Sequence, residues 1–138
     1  MRPDSTTFGK YFCLLFAACL VPALAACHSS STSAGGPTPQ ASVTGILIDN
    51  ACGATMMKDP NPEQAAAGHP RSCAMKPDCA ASGYAVITGS DLIKFDDHGN
   101  DLAKDFLAKS DKTDNLKVTV VGDRQGDTIA VTSITDAQ

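Results

Sequence analysis

The sequence predicts a mainly β domain with one helix: a five-stranded, OB-like Greek-key barrel with a long Cys- and Pro-rich insertion between strands 1 and 2. Three observations carry this expectation. Five short segments are β-branched or alternate between apolar and polar residues. One segment has apolar residues at helical spacing, and it lies between the third and fourth strands. The stretch 50–82 has neither pattern, and it contains Pro60, Pro62, Pro70, Pro77 and three cysteines.

The elements follow in order. Val43-Thr44-Gly45-Ile46-Leu47-Ile48-Asp49 reads as the first strand. Within the insertion, Pro62-Glu63-Gln64-Ala65-Ala66-Ala67 suits a helical turn with Asn61 as N-cap, Pro62 at its first position and Gly68 at its end. Residues 83–88 and 91–96 form a hairpin about Gly89-Ser90. Asp97-His98-Gly99-Asn100 reads as a turn, and Leu102, Ala103, Phe106 and Leu107 mark a helix over 101–109. Residues 116–122 and 127–134 are the last two strands, joined by a turn at 123–126. Closing such a small sheet into a barrel removes most of the edges it would otherwise expose.

The chain before this domain has a different character. Arg2 and Lys10 precede an apolar run from Tyr11 to Leu24, too short to span a membrane as a helix. The run ends in Leu24-Ala25-Ala26-Cys27, which resembles the bacterial lipobox. That resemblance implies a lipoprotein signal peptide over 1–27, cleavage before Cys27, and acyl chains such as palmitate on the new terminal cysteine. A single chain holds a protein only marginally, so stable anchoring needs more than one. His28 stands where an Asp often retains lipoproteins at the inner membrane, which favours the outer membrane in a diderm cell. Residues 28–42, rich in Ser, Thr, Gly and Pro, read as a flexible tether. The domain proper is expected over 43–135.

Charge and composition exclude one class of partner. The whole chain carries a formal net charge of −4, and loss of Arg2, Lys10 and Asp4 with the leader makes the remainder one charge more acidic. After the leader the aromatic residues are Tyr84, Phe95 and Phe106. An acidic domain without a stacking platform is not expected to bind nucleic acid. Its expected partners are the membrane, through the lipid anchor, and an envelope protein, a peptide or a glycan.

Three stretches together resemble a family of small exported bacterial proteins of unknown function with an OB-like domain and a Cys-rich first loop. They are Gly45-Ile46-Leu47-Ile48-Asp49-Asn50-Ala51-Cys52, the segment from Gly68 to Tyr84, and Gly126-Asp127-Thr128-Ile129-Ala130-Val131-Thr132-Ser133-Ile134. The resemblance supplies no activity and no catalytic residue.

The chemistry must therefore come from the residues. Cys13 and Cys19 leave with the leader and Cys27 takes lipid, so Cys52, Cys73 and Cys79 remain. An exported compartment favours disulfides, and three cysteines allow one disulfide and one thiol. Cys52 paired with Cys73 or Cys79, Cys79 slightly preferred, would close the longest loop. The alternative is a metal site: with His69, the three cysteines make a Cys3His set that suits zinc, or Cu(I) given the soft donors. Their spacing lacks the close Cys-x2-Cys pair of common zinc knuckles. Met56 and Met57 are expected to fill the barrel mouth. His98 beside Asp96, Asp97 and Asp101 offers oxygens for Ca²⁺ without EF-hand spacing and reads first as a solvated turn. No nucleophile elbow, P-loop or zinc-protease motif occurs. The leading expectation is a non-enzymatic envelope lipoprotein whose barrel is a binding module without a cofactor. The alternative is a metal- or thiol-handling protein.

Overall fold

A computed structural model of the chain describes residues 40–138. The leader, Cys27 and most of the tether expected from the sequence lie outside the described residues.

Five strands close into a barrel in the order β1-β2-β3-β5-β4. They are β1 (Ala41–Asp49), β2 (Tyr84–Thr88), β3 (Asp91–Phe95), β4 (Lys117–Gln125) and β5 (Thr128–Asp136). All neighbours are antiparallel except β3 and β5, which pair in parallel through Lys94–Thr128 and Phe95–Ile129. This is the OB-like arrangement expected from the sequence, with the insertion between strands 1 and 2.

β1 serves two neighbours. It pairs with β4 from Ala41 to Ile46 and with β2 from Ile46 to Asp49. Gly45 stands at the exchange. A Cβ there would lie 2.2 Å from the Ile87 carbonyl oxygen, so glycine lets the backbones approach. Both faces of β1 are buried from Gly45 onward. Leu47 packs in the interior with Val86, Ile93, Leu116, Val118 and Val120. Ile46 and Ile48 pack in a second apolar cluster with Ile87 and Ala66, against which Cys52, Met56 and Met57 also lie. The two methionines, expected at the barrel mouth, pack against this second cluster.

The insertion is more regular than the sequence suggests. It holds four short helices: α1 (Asn50–Met56), α2 (Pro62–Ala67), α3 (Arg71–Ala74) and α4 (Pro77–Ala81). None exceeds two turns, so none is long enough to show a helical period. α2 matches the expected turn, with Pro62 in its first turn, but the Asn61 side chain makes no capping bond. A longer helix, α5 (Asp97–Lys109), starts one turn earlier than the apolar spacing marks. Asp97-His98-Gly99-Asn100 is its first turn and not a separate one. The cause is Asp96, whose Oδ1 accepts from the backbone N–H groups of Gly99 and Val131 at 2.9 and 3.1 Å.

Candidate metal centre

The insertion is held to the barrel at several points. At the start of α1, the Asn50 backbone N–H donates to Gly83 O at 2.9 Å and its Nδ2 to Ser82 O at 2.8 Å. The Ser82 hydroxyl donates in turn to Cys79 O at 2.6 Å. These bonds tie the helix carrying Cys52 to the helix carrying Cys79. α3, which carries Cys73, is anchored elsewhere: the Arg71 backbone N–H donates to Thr113 O at 2.7 Å and Nη1 to Leu107 O at 2.8 Å. Tyr84, buried at the start of β2, donates its hydroxyl to Ala74 O at 3.0 Å.

The result is a convergence of donors. Cys52, Cys73 and Cys79 are free thiols, each half-buried, and their sulfurs lie within 4.8 Å of one another. A second group, within the same separation, consists of Asp49, Cys52 and His69. The four residues singled out in the sequence are thus brought to one place, but as two trios that share Cys52 and not as one set of four.

Asp49 is the member that sequence reasoning missed. It is the last residue of β1 and is fully buried. Along a strand every second residue shares a face, so Asp49 continues the series Val43, Gly45, Leu47. A charged residue in phase with buried Val43 and Leu47 was the available signal. Its Oδ1 accepts from the Cys52 backbone N–H at 2.9 Å, capping α1. Its Oδ2 lies 3.6 Å from His69 Nε2, beyond a good hydrogen bond. Among the described residues, Asp49 Oδ2 and both ring nitrogens of His69 are buried and find no hydrogen-bond partner. Leaving such groups unpaired costs about 1–3 kcal/mol each.

The electrostatics follow from this packing. Burial, reinforced by the charge of Asp49 and its hydrogen bond, pushes the Cys52 thiol up to about 12. Cys79 is raised too, by burial first and then by Asp49. Burial lowers His69, although Asp49 pulls it upward. Tyr84 is raised by burial and then by Asp49. Without a cation, the site favours neutral thiols. A bound cation would reverse that balance, because a coordinated thiol is deprotonated. The donor set of soft sulfur plus imidazole fits zinc or copper.

The other candidates have structural work. Asp96 is occupied as the cap of α5, and His98 and Asp97 lie exposed on that helix. A separate cleft of about 540 Å³ opens beside α2, lined in part by Ile46, Glu63, Gly89, Asn115 and Lys117. There Glu63 accepts from the Gly89 backbone N–H at 2.6 Å. No helix among the described residues is long and apolar enough to cross a membrane.

No protein-family model matches the chain, and neither a curated protein nor a solved structure matches it.

Proposed function

We propose that this chain is an envelope lipoprotein, anchored through Cys27, whose barrel carries a binding site for a thiophilic metal ion of the zinc class. It acts by holding the ion and not as an enzyme. One observation supports this reading above all: three thiols from three different short helices converge to within 4.8 Å beside a buried carboxylate and a buried imidazole. A structural thiol packs as a small hydrophobe. Nothing in hydrophobic packing asks three thiols, an aspartate and a histidine to gather in two trios about one shared cysteine. Zinc is preferred for the mixed set, and Cu(I) is the alternative among soft ions.

The test is metal content. The full chain, purified in detergent under reducing conditions, is expected to retain at least one zinc or copper ion. Replacing Cys52, Cys73 and Cys79 together with Ser should remove it. A wild-type protein free of metal, and unable to take up zinc when reduced, would overturn the reading.

The same thiols support a second reading. Sulfurs within 4.8 Å support a disulfide, Cys52 with Cys79 or Cys73, formed when an oxidant of the exported compartment takes up the two electrons and two protons that the thiols lose. Non-reducing peptide mapping separates a disulfide from three thiols. The cleft beside α2 supports the remaining role, a site for a peptide or glycan, since small-ligand sites are concave.

A further inference from the structure

We infer that the centre holds two ions, bridged by the Cys52 thiolate, with Cys73 and Cys79 as further donors to one and Asp49 and His69 to the other, so that each ion has three protein donors and an open fourth position. This deepens the metal reading and rests on it.

The first argument is donor count. A closed zinc site takes four protein donors, whereas five converge here. They are not spread around one point: Cys73 and Cys79 group with Cys52, Asp49 and His69 group with Cys52, and Cys52 alone belongs to both. Thiolates bridge readily, because sulfur has lone pairs for two metals.

The second argument is distance. Two nitrogen or oxygen donors on one tetrahedral zinc sit about 3.4 Å apart, given bonds near 2.1 Å. His69 Nε2 and Asp49 Oδ2 are already 3.6 Å apart, and neither has a hydrogen-bond partner among the described residues. The capping bond to Cys52 uses only Oδ1. Among the described residues, no hydrogen bond accounts for Oδ2 or for the ring nitrogens. An ion between them satisfies two of these three orphaned atoms. The sulfur spacing of a zinc site, about 3.8 Å given bonds near 2.3 Å, falls inside the 4.8 Å within which the thiol trio lies.

The third argument is charge. Three thiolates and the Asp49 carboxylate sum to four negative charges when metal is bound. One divalent ion would leave two of them uncompensated beside a fully buried carboxylate, which is costly in a low dielectric. Among the described residues the ion-pair partner of Asp49 is His69 alone, and a metal-bound histidine is neutral. Two divalent ions neutralise the cluster. Pairs of ions in proteins commonly sit about 3.5–4 Å apart, the separation one bridging sulfur sets.

The experiment is a titration of the reduced, metal-stripped full chain in detergent with ¹¹³Cd²⁺, followed by cadmium NMR. Two equivalents should bind and give two resonances. One should be shifted downfield by its sulfur ligands, and each should split the other through the bridging sulfur. Asp49→Asn and His69→Ala should each reduce uptake from two equivalents to one and keep the sulfur-rich resonance. Asn keeps the side-chain oxygen that caps α1, so this variant is expected to fold. Saturation at one equivalent, two resonances without mutual splitting, or variants that still take up two ions would overturn the two-ion centre while leaving the thiolate site standing. No uptake at all would remove the metal reading itself.

Discussion

At the scale of single residues, Cys52 and His69 respond to opposite things. Cys52 sits beside a buried carboxylate, and its thiol is pushed up to about 12. A thiol is reactive only as thiolate. In the reduced, metal-stripped protein at pH 8, a disulfide reagent should therefore label Cys52 far more slowly than the same residue in guanidinium. Equal rates in the two conditions would show that the buried environment is wrong. Metal binding must displace the protons of Cys52 and Cys79, so calorimetry in buffers of differing ionisation enthalpy should show release of protons with each chain loaded. His69 is held below its usual 6.5, chiefly by burial. Below that pH the unfolded chain binds a proton that the folded one resists. The metal-stripped protein should thus be fully stable above pH 6.5 and lose stability as the pH falls toward the lower folded value. Urea unfolding at pH 7.5, 6.0 and 5.0 should show a shallower acid loss for His69→Gln than for wild type.

At the scale of elements, two contacts decide how the barrel holds its attachments. Gly45→Ala would put a methyl group 2.2 Å from a backbone oxygen that cannot move aside. It should cost about 1–3 kcal/mol, read as a lowered midpoint in urea. Asp96→Ala removes both the cap of α5 and a bond to β5, and should cost about 2 kcal/mol. The five strands and the core of α5 were legible in the sequence because alternation in β4 and spacing in α5 are long enough to register. α1, α3 and α4 were not legible. They are one or two turns long, and their starts are set by the Asp49 cap of α1 and by Pro70 and Pro77 at α3 and α4, not by an apolar face. The site was half legible. Cys52, His69, Cys73 and Cys79 stood out by residue type, whereas Asp49 looked like the polar end of a strand. Its role became visible only when His69, twenty residues later, was placed against it.

At the scale of the whole molecule, the proposed metal site and the proposed anchor at Cys27 belong to separate parts of the sequence. Metal bound only by the folded state adds its binding free energy to stability. Chelation under reducing conditions should lower the melting temperature of the wild type and leave a variant lacking Cys52, Cys73 and Cys79 unchanged. Cys27→Ala should abolish incorporation of a fatty-acid analogue and move the protein from the membrane to the soluble fraction, with its metal content intact. The double pairing of β1 also has a consequence for assembly in time. Export amino end first, as the proposed leader implies, would deliver β1, the four short helices, β2 and β3 before β4 and β5. The β1–β2 pair, and with it the helices bearing the cysteines, is local enough to form during that interval. Yet β1 from Ala41 to Ile46 awaits β4, and β3 awaits β5. The donors can meet while two strand edges still stand open. Metal arriving at that moment would hold the half-built barrel in register until its last strands come through.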